Sequence, residues 1–109
     1  MTKNYLFVCS QNKWRSPTAE QIFSERTNIR VSSAGTNNDA ENPLDVEQIE
    51  WADVIVAMER QHRSKIQQRF KSVMNDRKIV VLGIPDKYRF MDPDLIELLQ
   101  EKMRRHLPD

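Results

Sequence analysis

The stretch Tyr5-Leu6-Phe7-Val8-Cys9-Ser10-Gln11-Asn12-Lys13-Trp14-Arg15-Ser16-Pro17 joins a strand, a loop and the start of a helix. Residues 4–8 are apolar, aromatic or β-branched enough for a buried strand. Ser16 and Pro17, followed by Glu20, predict a helix with Ser16 as N-cap and Pro17 at the first helical position. Cys9 to Arg15 is then a strand-to-helix loop. Such a loop aims its backbone N–H groups and the positive end of the helix at one point, where a phosphate or another oxyanion binds. The same field favours the thiolate form of a cysteine, which is the nucleophile. Arg15 adds a planar fork that can hold two phosphoryl oxygens at once, which lysine cannot do. Cys9 as a small buried hydrophobe is the bland alternative. It leaves the preceding strand, the arginine six positions on and the Ser-Pro helix start as coincidences.

Outward from this stretch, strands and helices alternate. A helix is predicted from Pro17 to about Arg26, with Ala19, Ile22 and Phe23 facing inward, and a short strand over Ile29 to Ser33. The turn formers Gly35 to Pro43 read as a mobile stretch, followed by a short helix from about Leu44 to Trp51. Val54 to Met58 is a continuous apolar run suited to a buried parallel strand. Glu59 to Asn75 fits one helix carrying Ile66, Phe70, Val73 and Met74 inward. Lys78 to Leu82 is another buried strand, Gly83 to Met91 a loop, and Asp92 or Pro93 opens a last helix reaching about Leu107. The alternation predicts an α/β, three-layer fold: a four-stranded parallel sheet in the order 2-1-3-4, flanked by helices. Ligands of such sheets bind beyond the carboxyl ends of the strands, where the order reverses. Cys9 falls there, and so do the loops after Ser33, Met58 and Leu82.

The 109 residues are expected to form a single domain, 1–109. Apolar residues make up 39% and charged residues 30%, as in a globular protein. Lysines and arginines number 17 against 16 acids, so no global charge announces a nucleic acid or a membrane. With no long apolar run and no signal-like N-terminus, the expected location is the cytoplasm. One cysteine excludes an internal disulfide, and His62 and His106 show no metal-ligand spacing, so neither a metal nor another cofactor is expected.

The loop motif from Val8 to Glu20 resembles the low-molecular-weight protein tyrosine phosphatases. The likeness continues through Val31-Ser32-Ser33-Ala34-Gly35-Thr36, Ala52-Asp53-Val54-Ile55-Val56-Ala57-Met58 and Asp92-Pro93. It implies a metal-free phosphomonoester hydrolase. Cys9 would attack phosphorus to form a thiophosphate intermediate, with Arg15 and the amides of Ser10, Gln11, Asn12, Lys13 and Trp14 holding the phosphoryl oxygens. Ser16 would donate to the thiolate, while Asn12, supported by Ser33, would hold the loop in a left-handed turn. Asp92 would protonate the leaving group and then activate water. Local sequence offers Asp92 a second role as helix N-cap, and Asp86 and Asp94 are rival carboxylates. The chain departs from the family pattern at Gln11, usually glycine, at Lys13, usually aliphatic or threonine, and at Trp14, often a second cysteine. Family members commonly carry aromatics after the Asp-Pro pair. Here Tyr88 and Phe90 precede it.

The expected partner is a phosphorylated substrate, a phosphoprotein among the candidates, acted on by a monomer. Two alternatives stand beside hydrolysis. Arsenate reduction needs relay thiols that the chain lacks. A non-catalytic module would use the cradle to bind phosphate, a phosphoprotein or nucleic acid, and the basic segment 60–78 suits such a platform.

Overall fold

The computed structural model describes residues 2–108. Strands β1 (Lys3–Cys9), β2 (Ile29–Gly35), β3 (Val54–Ala57) and β4 (Lys78–Val81) form one parallel sheet in the order β2-β1-β3-β4. This is the order expected from the alternation of elements. The helices are α1 (Arg15–Phe23), α2 (Val46–Trp51), α3 (Arg60–Arg69), α4 (Lys71–Met74) and α5 (Pro93–Met103), and a 3₁₀ turn spans Arg104–His106. Among the described residues no helix is long and apolar enough to cross a membrane.

β1 explains the three layers, because alternate side chains of a strand point to opposite faces. Tyr5, Phe7 and Cys9 enter a core shared with Ala19 and Phe23 of α1 and with Leu95 and Leu99 of α5. Leu6 and Val8 enter the opposite core with Ile49 of α2, Ile66 of α3 and Phe70. Covered on both faces, β1 is buried from Tyr5 to Cys9, which is why it reads as an unbroken apolar run. Each fully buried aliphatic side chain contributes about 1.5–3 kcal/mol. The rings of Phe7 and Phe23 stack with centroids 5.6 Å apart, fixing α1 over β1. Cys9 pairs with Gly35 and Val8 with Ala57, so the carboxyl ends of β1, β2 and β3 share one crest.

Several element boundaries differ from the sequence expectation. α1 starts at Arg15 rather than Pro17 and ends at Phe23 rather than Arg26. Ser16 is therefore not the N-cap; Trp14 holds that place without a side-chain bond, and the Ser16 hydroxyl is engaged inside the loop. β2 continues to Gly35 because it pairs with β1 as far as Cys9. Leu44 is a core residue ahead of α2, whose start is set by a reciprocal cap between Asp45 and Gln48. The single helix expected over 59–75 is broken at Phe70 (φ −117°, ψ 26°) into α3 and α4. Neither glycine nor proline marks that break.

The stretch 35–43, expected to be mobile, is bound along the β1–α1 loop. Thr36 N–H donates to the Cys9 carbonyl (2.9 Å), Asn37 N–H to that of Ser10 (3.0 Å) and Glu41 N–H to that of Gln11 (3.0 Å). Gly35 lies at the closest approach. A β-carbon there would stand 2.6 Å from both the Ala40 β-carbon and the Ser10 carbonyl oxygen, and 2.9 Å from Asn12 N. Gly35→Ala is expected to destabilise the protein by about 1–3 kcal/mol through this overpacking. The midpoint of urea unfolding reads the loss, and an unchanged midpoint would show that the two loops can part at no cost.

Candidate active site

The three carbonyls taken by Thr36, Asn37 and Glu41 set the polarity of the loop. In a trans peptide the C=O of one residue and the N–H of the next point opposite ways. With the carbonyls of Cys9, Ser10 and Gln11 turned out to the 36–41 segment, the amides of Ser10, Gln11 and Asn12 face away from it. Among the described residues no hydrogen bond engages the N–H groups of Ser10 to Trp14. The concavity they form at the start of α1 suits an anion.

Asn12 closes the curve. It is buried, and its φ of 54° is one that asparagine tolerates. Both amide hydrogens are used, on Ser16 Oγ and Ser33 Oγ, each at 2.9 Å, and the Ser33 hydroxyl in turn donates a hydrogen bond to the Glu20 carboxylate. Because Ser16 Oγ accepts from Asn12, its proton is free for Cys9 Sγ at 3.0 Å; the alternative acceptor, the Ala34 carbonyl, is at 3.4 Å. The loop thus offers Cys9 a hydroxyl donor suited to a thiolate. Cys9, Asn12, Ser16 and Ser33 lie together as the sequence suggested.

Arg15 is almost wholly buried, 2% exposed. Its Nη1 donates to Glu59 Oε1 at 2.6 Å and to the Ile84 carbonyl at 2.9 Å, and its Nε lies 3.6 Å from Asp86 Oδ1. Nη2 has no partner among the described residues, leaving one edge of the fork for a ligand. The hydrogen bond from Arg15 holds Glu59 below the usual carboxylate range, against a smaller opposing effect of burial. Asp86, read from sequence as a solvated rival acid, is more than half exposed yet belongs to the Arg15 pair.

Sequence reading missed Glu59 and His62 as parts of this site. Glu59 follows β3 and caps α3, and the Glu59 N–H donates to His62 Nδ1 at 3.0 Å. His62 Nε2–H is then the donor to Ser10 Oγ at 2.9 Å. The available signal was the spacing Glu-x-x-His at the carboxyl end of a buried strand. Among the described residues no cluster of three or more His, Cys, Asp or Glu could hold a metal.

The remaining candidates lie at the mouth. Gln11 and Lys13 are exposed, Trp14 is 38% exposed, and the Lys13 ammonium stands 5.7 Å over the Trp14 ring. Asp92 is the N-cap of α5, its carboxylate accepting from Asp94 N–H at 2.9 Å. No bond joins it to Cys9 or Arg15. Its neighbour Met91, at φ 61°, donates its N–H to Thr18 Oγ1 at 2.9 Å, and Thr18 donates to the Trp14 carbonyl at 2.6 Å. The segment before Asp92 is thereby tied to the first turn of α1.

A cysteine thus stands at the end of a central strand, in a loop shaped for an anion, on the four-stranded parallel sheet of an α/β protein. The family pattern described as low molecular weight phosphotyrosine protein phosphatase matches residues 4–52. A protein-arginine-phosphatase of Bacillus subtilis (strain 168) is 32% identical over 92 residues, a match covering 60% of this chain and 61% of that protein. Among solved structures, the YwlE arginine phosphatase in a mutant form with a phosphorylated active site serine is 26% identical, with a TM-score of 0.70 over 94% of each chain. The low molecular weight protein tyrosine phosphatase of Streptococcus pyogenes is 15% identical, covering 99% of this chain and 95% of its own; its TM-score of 0.79 speaks for the fold. Over residues 4–52 the chain resembles the low-molecular-weight phosphotyrosine protein phosphatase family, and it spans about three fifths of the length of the Bacillus protein-arginine-phosphatase it matches.

His62 gives the site a pH dependence. Burial, reinforced by the positive charge of Arg15, lowers its pKa from 6.5 to about 4. The unfolded chain takes up this proton near 6.5 and the native protein only near 4, so the native state binds fewer protons between them. The stability due to neutral His62 is complete above pH 6.5 and is lost as pH falls towards 4. Urea unfolding at pH 7, 5.5 and 4 should show this fall in the wild type and a flatter profile over the same range in His62→Gln. Parallel profiles would remove His62 as the cause.

Proposed function

We propose that this chain is a phosphatase that removes phosphoryl groups from proteins through a cysteinyl-phosphate intermediate. The observation that carries the reading is Cys9 Sγ, 3.0 Å from Ser16 Oγ, seated in a loop whose carbonyls are tied outward. The Cys9 thiolate attacks phosphorus, the S–P bond forms, and the bond from phosphorus to the substrate's oxygen or nitrogen breaks. Asp92 gives its proton to that leaving atom. The Asp92 carboxylate then takes a proton from water as the water oxygen attacks phosphorus, the S–P bond breaks, and inorganic phosphate leaves with the thiolate restored. Arg15 Nη2 and the amides of Ser10 to Trp14 stabilise the charge on the phosphoryl oxygens. The kinship with a protein-arginine-phosphatase and with tyrosine phosphatases supports a phosphorylated protein side chain as substrate, with phosphoarginine and phosphotyrosine as the two candidates.

Turnover of an aryl phosphate, a phosphotyrosine peptide and a phosphoarginine peptide tests the reading directly. Cys9→Ser should abolish turnover, and Arg15→Ala should lower kcat by about 10²–10³. Asp92 needs a substitution that separates its two roles. Asparagine caps a helix about as well as aspartate, so Asp92→Asn should keep thermal stability while lowering kcat by about 10²–10⁴. Turnover surviving in Cys9→Ser would overturn the mechanism. Full activity in Asp92→Asn would reduce Asp92 to its capping role.

A further inference from the structure

α3 carries Arg60, Arg63, Lys65 and Arg69 and no acid within its ten residues. The first turn of a helix favours acidic side chains, and cations three positions apart on one face repel. Arg60 and Arg63 break both rules. Nor is the cost offset by pairing, because the ion pairs among the described residues both belong to Arg15. A local rule broken without a structural gain points to a surface kept for a ligand.

The four cations border two grooves. One, of about 580 Å³, runs between the start of α3 and the end of β4, with Arg60 and Arg63 over Val81, Leu82 and Pro85. Glu59 also lines it, but its carboxylate is engaged by Arg15. The other, of about 490 Å³, lies on the opposite flank beside Thr36, Asn37 and the single carboxylate Asp39; there Arg69 is tied to the Thr36 carbonyl and Asn38 Oδ1, and Lys65 forms no ion pair among the described residues. Both adjoin the cradle. The first meets it through Glu59 on Arg15; the second meets it through Thr36 and Asn37, whose amides hold the carbonyls of Cys9 and Ser10.

Resting on the phosphatase reading above, we propose that the basic flanks of α3 dock acidic residues on either side of the phosphorylated side chain, so that the preferred substrate is a protein segment rich in Asp and Glu around its phosphoresidue. Charge complementarity sets the class of partner, and the absence of stacking surface sets it apart from nucleic acid. Single-stranded nucleic acid is held by exposed aromatics along a basic groove. Among the described residues the exposed large apolar side chains are Trp14, Val46 and Phe90, none of which lines either groove.

The experiment compares peptides built around the phosphoresidue that the wild type turns over, flanked either by Asp and Glu or by Ser and Gln. For the acid-flanked peptide kcat/KM should be higher by about tenfold, expressed in KM and shrinking as salt screens the flanks. The Arg60→Gln/Arg63→Gln double variant and Lys65→Gln should each reduce the ratio between the two peptides. Fluorescence anisotropy with the same labelled peptides reads docking apart from turnover. Equal kcat/KM and equal binding for the two peptides, or a preference that survives in both variants, would overturn the proposal. So would a single-stranded oligonucleotide that inhibits more strongly than an unphosphorylated acidic peptide and loses that inhibition in the same variants. Absence of wild-type turnover on every phosphorylated probe, with acid-selective binding intact, would instead sink the catalytic reading and leave the docking surface standing.

Discussion

Three backbone carbonyls turned the same way govern this crest of the sheet. A peptide group that directs its oxygen at the 36–41 segment has to direct the neighbouring N–H elsewhere. The bonds from Thr36, Asn37 and Glu41 to Cys9, Ser10 and Gln11 convert a flexible connection into a fixed array of donors. Fixed dipoles need no reorganisation when charge arrives, which is where most of their value in catalysis lies. The array depends in turn on β2 running to Gly35 opposite Cys9, and on the lack of a side chain where the two loops meet. Asn12 completes it: one amide holds both serine hydroxyls and leaves the proton of one of them for sulfur.

The second constraint is electrostatic. A buried guanidinium is costly unless charge and hydrogen bonds surround it. Arg15 meets that demand with Glu59, the Ile84 carbonyl and the more distant Asp86. These partners come from the segment after β3 and the loop after β4, so the buried cation pins three loops together. Glu59 and His62 form one cap at the start of α3, and that cap reaches both Arg15 and Ser10. Neutral imidazole suits this place because Nδ1 must accept from Glu59 N–H while Nε2 donates to Ser10. A protonated ring would forfeit the first bond and put a second cation beside Arg15.

The sheet and its order were legible because β1 from Tyr5 to Cys9 and the whole of β3 are unbroken apolar runs, and strands covered on both faces read that way. Cys9, Arg15, Ser16, Asn12 and Ser33 were legible because their spacing lies within one loop or matches a motif. Glu59 and His62 were not, because their roles arise from contacts across 44 residues to Arg15 and 52 residues to Ser10. Local rules also misplaced the start of α1. A serine before a proline is an ordinary N-cap by composition, and what moves the helix back to Arg15 is the tertiary demand that Ser16 face Cys9 and Asn12. The same applies to the 35–43 stretch. Its residues are turn formers, but its amides are taken by a loop far away in sequence.

The departures from the family pattern, Gln11, Lys13 and Trp14, are the exposed members of the loop, while Asn12, Arg15 and Ser16 are buried. A loop of alternating exposure divides its work. The buried positions shape the donor array and orient the sulfur, so they leave little freedom of side chain. The exposed ones meet only what enters the mouth. Glycine is not required at Gln11, because the loop's positive φ falls on Asn12. A lysine over an indole face then adds a cation to a rim that already collects cations along α3. In the function proposed above, phosphoryl transfer falls to the buried half of the loop, and selection among substrates to the exposed half together with α3.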